Sequence, residues 1–340
     1  MKYRLRHTTV YSYESTVSHS RHVIRKRPRH LPTQHMLRAS LQTEPRPTWS
    51  LAARDYFLND IDTVEVGDPH DQFSVTALSE VEVLPAAIEL SSPALVVPWD
   101  QVATRLLQDP DCYRPREMAY DSPMVERSAA LARLGHEVFT PGRPLFDAVL
   151  ALNHLIYSTF DYDPSTTDVA TPLAKVLGQR SGVCQDFAHV AVGALRSLGL
   201  AARYVSGYLE TLPPPGKPRL IGADASHAWA AVFVPGEGWI GFDPTNNSLP
   251  REQHIVVAWG RDFSDVSPLR GVVLGGGRHN VSVGVDVERL VDGEAGRRSD
   301  RAPQSLPPSD LSSSPHSDPM GPNSDPIGKG SEPRSRESIP

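Results

Sequence analysis

Apolar and β-branched side chains recur at every second position through much of the first 95 residues. They occupy odd-numbered positions in residues 3–13, and the alternation returns in 62–66 and 73–83, on either side of the turn Gly67-Asp68-Pro69. A period of two is typical of strands with one buried face. Because no helical stretch interrupts these strands, the pattern predicts an all-β N-terminal domain, a sandwich, over residues 1–95.

Helical spacing of the apolar residues begins only after a proline-rich stretch. Residues 84–123 show little periodicity, which predicts a connector at 96–122. The clearest helix is 184–198, where the apolar residues form one stripe and Gly199 provides a stop. The other predicted helices are Val125–Val138, Leu145–Tyr157 and Thr171–Gln179.

Beyond that helix the period returns to two. Strands are predicted at Ala202–Leu209, His227–Val234, Trp239–Asp243 and Ile255–Trp259, and a last strand at Val281–Val287 is expected to close the same unit. Helices followed by antiparallel strands indicate an α+β domain over 123–288. Residues 289–340 are rich in Ser, Pro, Asp and Gly and poor in aliphatic residues, so a disordered tail is predicted.

Composition narrows the choice of function. The 340 residues are 39% hydrophobic, which is ample for a buried core, and the net charge is −6. We therefore expect no nucleic acid or membrane partner. The surplus of Lys and Arg in the first 50 residues is better explained by a solvated strand face than by an anionic ligand. The charged N-terminal segment is not followed by an apolar run of signal-peptide length, which predicts a cytoplasmic protein.

Cys184 is the first candidate for chemistry. The chain has two cysteines, Cys112 and Cys184, too few for a disulfide framework or a four-cysteine zinc site. Cys184 stands where the turn Ser181-Gly182-Val183 gives way to the predicted helix 184–198. Unpaired backbone N–H groups and the positive helix end favour a thiolate there, so Cys184 is a candidate nucleophile, whereas Cys112 is expected to be unreactive.

Two downstream residues could serve that thiolate. His227 opens one predicted strand and Asp243 ends the next, with the loop Pro235-Gly236-Glu237-Gly238 between them. In a hairpin the start of one strand lies near the end of the other, so a base and its orienting carboxylate could meet. A regular hairpin with this four-residue loop places Ala230 opposite Asp243, however, which leaves His227 roughly 10 Å further along the strand.

Three segments in this order resemble the transglutaminase-like superfamily of papain-like Cys-His-Asp enzymes, and specifically its bacterial branch. They are Gly182-Val183-Cys184-Gln185-Asp186-Phe187-Ala188-His189, Ser226-His227-Ala228-Trp229 and Gly238-Trp239-Ile240-Gly241-Phe242-Asp243-Pro244-Thr245-Asn246. The opening His7-Thr8-Thr9-Val10-Tyr11-Ser12-Tyr13 also resembles the N-terminal β domain of that branch. The resemblance covers about residues 1–288 and implies a papain-like transglutaminase core of helices plus an antiparallel sheet.

The resemblance also implies a reaction. Cys184, His227 and Asp243 would form a catalytic triad that passes an acyl group through a thioester, acting on a peptide or protein substrate without a cofactor or bound metal. The backbone N–H of Cys184, at the helix start, is a natural oxyanion donor. Hydrolysis, as by a peptidase or amidase, is preferred because many microbial members of the family resemble peptidases; transamidation of protein glutamine uses the same three residues and is the alternative.

Several neighbours of the three residues allow more than one role. Asp186 is better explained by the helix dipole than by catalysis, and His189 by a structural hydrogen bond than by a second base. Trp229 shares the face of His227 and is assigned to substrate binding, with plain core packing as the equal alternative. Trp239 is expected to be a packing residue.

Two further classes of function stay open. One is a non-catalytic protein-binding module in which the three residues persist as a structural network. The other is a zinc site formed by Cys184, His227 and Asp243, although the helix-start thiolate and the His–Asp pairing explain these residues without a metal. The sequence predicts no oligomeric state.

Overall fold

The computed structural model describes residues 1–85, 92–210 and 226–290. The predicted tail, 289–340, lies almost wholly outside these residues. The strands are β1 Lys2–Ile24, β2 Gln34–Glu44, β3 Trp49–Arg54, β4 Asp60–Val66, β5 His70–Val83, β6 Asp161–Tyr162, β7 Ser181–Gly182, β8 Ala202–Leu209, β9 Ser226–Val234, β10 Gly238–Phe242, β11 His254–Gly260, β12 Leu269–Gly275 and β13 His279–Leu290. The helices are α1 Trp99–Gln108, α2 Tyr113–Glu117, α3 Ala129–His136, α4 Leu145–Thr159, α5 Leu173–Gln179, α6 Cys184–Ser197 and α7 Phe263–Val266.

The N-terminal β sandwich is confirmed, and it arises from one antiparallel sheet that bends on itself. The first half of β1 pairs with β5 and β13, and its second half pairs with β4 and β12. The register of β1 shifts between Ser12 and Val17, at the bend. Side chains from the two halves, such as Phe73 of β5 and Val64 of β4, share one buried cluster.

The last strands belong to this sandwich, so the prediction that Val281–Val287 closes the α+β unit is wrong. Val285 of β13 pairs with His7 of β1, near the opposite end of the chain. Apolar and polar residues alternate along Val281–Val287 in the same way whichever sheet the strand joins. A partner strand near the opposite end of the chain leaves no signal in the local sequence. The predicted domain limits divide the chain in sequence order, whereas β12 and β13 belong to the N-terminal sheet.

The stretch predicted to be a connector contains ordered helices. Val102 and Leu106 of α1 lie one turn apart and are buried in the same apolar core as α4 and α6. The prolines that flank α1 obscured this short amphipathic pattern, because Pro98 directly precedes the helix and Pro110 begins the 3₁₀ turn after it. Residues within 99–117 thus form part of the apolar core that surrounds α6.

The α+β unit is built around α6, whose residues from Asp186 to Arg196 are all buried. The four-stranded antiparallel sheet β10-β9-β8-β11 packs on this helix, and α3, α4 and α5 surround its other sides. The predicted strand Ala202–Leu209 coincides with β8, and the predicted helix from residue 184 coincides with α6 to within one residue. Among the helices that the structure describes, none is long and apolar enough to span a membrane.

Gly207 of β8 allows a close approach to the neighbouring strand β11. Gly207 pairs with His227, and a Cβ at Gly207 would lie 2.1 Å from the carbonyl oxygen of Ile255 and 2.7 Å from the Trp229 ring. We expect Gly207→Ala to destabilise the fold by about 3 kcal/mol, because backbone has to move to relieve the overlap. The free energy of unfolding in denaturant measures this change.

Gly178→Ala is the matched control. Gly178 lies in α5, a Cβ there meets nothing within 4 Å, and alanine has the higher helix propensity. The control variant should unfold at an equal or higher denaturant concentration than the wild type. If Gly207→Ala and Gly178→Ala were equally stable, the approach of Gly207 to Ile255 and Trp229 could not be as close as it is in this structure.

Candidate active site

The turn before α6 fixes the position of Cys184 through Asp186. The Asp186 carboxylate accepts hydrogen bonds from the backbone N–H of Val183 (2.9 Å) and the hydroxyl of Thr167 (2.6 Å), and it is 2% exposed. Burial raises the pKa of Asp186. Gly182 is required here because a Cβ would lie 2.5 Å from the same carboxylate. These contacts agree with the structural role expected for Asp186, as a cap of the helix start.

Cys184 is the first residue of α6 and is partly exposed, whereas Cys112 is buried. The N–H groups in the first turn of a helix have no intrahelical acceptor, so the helix end beside the thiol is electropositive. Hydrogen bonding and charge from the Cys184 thiol help to raise the pKa of the His227 imidazole, so the two side chains are neighbours. Since Nε2 of His227 faces Asp243, Nδ1 is the nitrogen that remains for the thiol.

His227 and Asp243 meet because the β9–β10 loop is one residue shorter than predicted. Gly238 pairs with Val234 and Phe242 with Ala230, so the strand continues with Asp243 opposite Trp229. The prediction that Ala230 lies opposite Asp243 is therefore wrong. Positive φ angles at Gly236 and Gly238 allow the tighter connection.

This shift by one residue changes the face on which Asp243 lies. His227 and Trp229 point to the same face of β9, and Asp243 opposite Trp229 points to that face as well. His227 then becomes a diagonal neighbour of Asp243, a separation that long side chains bridge. The structure has His227 Nε2 only 2.7 Å from Asp243 Oδ2.

Asp243 is a fully buried carboxylate that is saturated with hydrogen-bond donors. Its Oδ1 accepts the backbone N–H groups of Thr245 (3.0 Å) and Asn246 (3.2 Å). Its Oδ2 accepts from the Asn246 amide (2.7 Å) and from Nε2 of both His227 and His254 (2.7 and 3.2 Å). Such a carboxylate stays ionised and holds one orientation.

The charges of the site follow from these contacts. Burial alone would raise the pKa of Asp243, but the hydrogen bonds from His227, His254 and Asn246 hold it well below its usual range. Burial would likewise lower the pKa of His227; hydrogen bonds with Asp243 and Cys184, together with the charges of the two partners, raise it to about 10. The site therefore favours a His227 imidazolium beside an ionised Asp243 at neutral pH.

Two residues of this network escaped the sequence analysis. Asn246 stood inside the third quoted segment without a role, and His254 was not singled out. His254 begins β11, which pairs with the far edge of β8, so its position beside Asp243 depends on sheet order rather than on sequence spacing. A histidine eleven residues after a strand-ending aspartate carries no recognisable spacing signal.

The other residues considered from sequence lie behind the site. Trp229 is 2% exposed, stacks behind His227 with ring centroids 6.0 Å apart, and meets His254 edge to face. Its burial favours the core alternative over contact with substrate. His189 is buried and accepts the backbone N–H of Phe263 (3.1 Å), a structural contact, and burial lowers its pKa to about 4. Trp239 packs against Phe233 and Arg203.

Three potential metal ligands also meet at this point, since ligand atoms of His227, Asp243 and His254 lie within 4.8 Å of one another. Both imidazoles, however, face the same carboxylate oxygen. The Nδ1 of His254 already accepts the backbone N–H of Arg251 (3.3 Å), so a neutral His254 carries its proton on Nε2. A protonated nitrogen cannot ligate a metal, and the arrangement fits a hydrogen-bonded network.

Known proteins resemble most of this chain. A family model described as the transglutaminase-like superfamily matches residues 132–244, and one described as the bacterial transglutaminase-like N-terminal region matches residues 3–82. An uncharacterised protein of Mycobacterium tuberculosis is 39% identical over 293 residues, which are 84% of this chain and 92% of the relative. An uncharacterised protein of Mycobacterium leprae is 34% identical over 84% of this chain and 98% of its own length.

Two more distant matches have descriptions that refer to an activity. A protein-glutamine gamma-glutamyltransferase of Pseudomonas aeruginosa is 30% identical over 135 residues, but these are 35% of this chain and 20% of that protein. The crystal structure of a protein from Cytophaga hutchinsonii, provisionally classed as a cysteine protease, has a TM-score of 0.67 and 22% identity over 90% of this chain and 94% of its own. The second likeness concerns the fold alone.

Proposed function

This chain belongs to the transglutaminase-like superfamily, and on that premise we propose that it cleaves amide bonds of peptides or proteins through a thioester on Cys184. His227 is the general acid and base, and Asp243 orients it. The observation that carries the proposal is the 2.7 Å contact between His227 and a fully buried Asp243, together with the thiol at the start of α6, whose hydrogen bonding and charge help to raise the pKa of the same imidazole. A nucleophile, a base and an orienting group in this order form an acyl-transfer centre.

The first half of the reaction forms the acyl-enzyme. The Cys184 thiolate attacks the amide carbonyl carbon, a C–S bond forms, and the carbonyl π electrons move to oxygen. The backbone N–H of Cys184 stabilises that oxyanion, because the first N–H of a helix has no intrahelical acceptor. When the oxyanion collapses, the C–N bond breaks and the leaving amine takes the proton of the His227 imidazolium. The product is a thioester and a neutral imidazole.

The second half returns the enzyme to its first state. Neutral His227 accepts a proton from water as the oxygen attacks the thioester carbonyl, and the Cys184 thiolate departs with the C–S bond electrons. The carboxylic acid then leaves, and the imidazolium and thiolate are restored. Asp243 keeps its charge throughout, because its donors stabilise the anion and it has no need to accept the proton.

Transamidation is the second candidate function. An amine in place of water would attack the same thioester, and the partial likeness to a protein-glutamine gamma-glutamyltransferase favours testing it. Hydrolysis is the first proposal because Cys184 is partly open to solvent and water is the more abundant nucleophile. Incubation with a fluorescent amine and casein, beside a peptide library, distinguishes them. Peptide cleavage supports hydrolysis; amine incorporation without cleavage would replace it with transamidation.

A non-catalytic binding module is the remaining alternative, and thiol reactivity separates it from an enzyme. A low concentration of iodoacetamide should alkylate Cys184 well before Cys112, since Cys184 is partly exposed beside an imidazolium and burial raises the pKa of Cys112. Equal reactivity of the two thiols near neutral pH would favour the binding module.

The dependence on pH is a further prediction. Because the pKa of His227 is raised to about 10, the imidazolium should persist through neutral pH and be lost only as the pH rises towards that value. We expect alkylation of Cys184 by iodoacetate, an anion that the imidazolium attracts, to slow above about pH 10. A histidine with an ordinary pKa of about 6.5 would instead slow the reaction between pH 6 and 7.

The same shift affects stability with a defined sign. The folded state raises the pKa of His227 from 6.5, so the protonated ring stabilises the fold fully below pH 6.5. That contribution is lost as the pH rises from 6.5 towards about 10. Thermal unfolding of wild type and His227→Gln over this range measures it, and parallel curves for the two proteins would contradict the assignment.

A further inference from the structure

His254 completes the surroundings of Asp243 from a third strand. It is the first residue of β11, is 7% exposed, and its Nε2 lies 3.2 Å from Asp243 Oδ2. That oxygen is the one that receives His227 Nε2. Two imidazoles from different strands therefore share one carboxylate oxygen.

The tautomer of His254 follows from its other nitrogen. The backbone N–H of Arg251 points to His254 Nδ1 at 3.3 Å, so Nδ1 is an acceptor and Nε2 carries the proton. Trp229 fixes the plane of the ring, with centroids 5.3 Å apart and an interplanar angle of 82°. The proton on Nε2 is therefore aimed at Asp243, and the ring cannot turn away without losing both contacts.

From this geometry we propose that His254 is a positioning residue, whose Nε2–H holds Asp243 Oδ2 in place and takes a share of its negative charge. The proposal goes one step beyond the triad and rests on the proposed function. His254 acts only through Asp243 and does not touch the reacting atoms. It also explains why a second histidine is buried on an oxygen that already has two other donors.

Sharing the oxygen has a defined effect on His227. Each donor on Oδ2 withdraws electron density from it and weakens the others, so His254 limits how strongly Asp243 holds the His227 proton. Without that donor, Asp243 would bind the imidazolium more tightly, and His227 would give its proton to the leaving amine less readily. The titratable groups that face one another here are Cys184 from α6, His227 from β9, Asp243 after β10 and His254 from β11.

The test compares His254→Phe, which keeps the ring but lacks the N–H, with His254→Gln, whose amide can still donate to Asp243. Iodoacetate alkylation of Cys184 is followed from pH 5 to 11, and turnover of a p-nitrophenyl ester is measured in parallel. For His254→Phe we expect the alkaline fall in alkylation to move to higher pH and kcat to drop about 10- to 100-fold, as for other residues that orient a reacting group through a partner. His254→Gln should restore most of both.

A purely structural role would give a different result. In that case His254→Phe would have lower thermal stability and activity, but its alkaline fall in alkylation would stay at the wild-type pH. That outcome would overturn the proposal. So would an alkaline fall that moves as far in His254→Gln as in His254→Phe. Loss of selective Cys184 alkylation in the wild type would instead contradict the proposed function itself. The two failures are therefore distinguishable.

A measurement on the wild-type protein covers the case in which His254→Phe does not fold. With ¹⁵N-labelled histidine, NMR spectra should show a hydrogen-bonded proton on His254 Nε2 and none on Nδ1. The Nδ1–H tautomer would leave no proton for Asp243 Oδ2 and would overturn the proposal without any substitution.

Discussion

Cys184→Ala should reduce kcat/KM for amide or ester substrates by at least about 10⁴-fold while the protein stays folded. The substitution removes the atom that forms the C–S bond, so the proposed thioester cannot form. Since Cys184 is only partly buried, we expect its loss to change the free energy of unfolding by about 1 kcal/mol or less. Steady-state kinetics and denaturant unfolding measure the two effects separately.

Cys112→Ala is the control for this result. Cys112 is buried in the apolar core beside α1, so its truncation should cost stability and leave the kinetic constants near those of the wild type. If Cys184→Ala kept more than about one hundredth of wild-type activity, a thioester on Cys184 could not be the main route.

Asp243→Asn should lower kcat by about 10³- to 10⁴-fold. An asparagine keeps the shape of the side chain, but it removes the charge that stabilises the His227 imidazolium, and its NH₂ group would face donors from His227, His254 or the backbone. Because hydrogen bonding and charge from Asp243 raise the pKa of His227, the alkaline fall in activity should move to lower pH in this variant. The shift is opposite in sign to that expected for His254→Phe.

Asp262→Asn provides a matched control for a buried carboxylate. Asp262 is fully buried like Asp243. Its carboxylate accepts hydrogen bonds from the backbone N–H groups of Met124 and of Ser264, which lies in α7, and has no hydrogen bond with His227 among the described residues. We expect Asp262→Asn to lose stability and to keep the wild-type pH profile. A pH profile that moves equally in both variants would mean that Asp243 acts through the fold rather than through His227.

Cys184, His227 and Asp243 could be singled out from the sequence because each lies at or next to the end of a regular element. The apolar stripe of α6 marks Cys184 as the first residue of a helix, and the alternation of β9 and β10 gives His227 and Asp243 their strand ends. These are local patterns with periods of 3.6 and 2, and local patterns are what a sequence reports best.

The features that were missed depend on distances along the chain or on a single residue of register. The length of the β9–β10 loop decides on which face of the sheet Asp243 lies. Because this loop is one residue shorter than predicted, Asp243 lies on the face of His227 and contacts it directly. The pairing of β13 with β1 and the approach of His254 from β11 depend on sheet order. The sequence of β13 does not show that it pairs with β1, and the sequence of β11 does not show that His254 lies beside Asp243.

Trapping a thioester on Cys184 is the most direct test of the proposed reaction. The protein is mixed with a p-nitrophenyl ester, quenched in acid within seconds, and analysed by intact mass and by peptide mapping. We predict one acyl group per chain on Cys184, released by hydroxylamine, absent in Cys184→Ala and slow to form in Asp243→Asn. Turnover by Cys184→Ala at the wild-type rate, or an acyl group on any other residue, would contradict a thioester on Cys184.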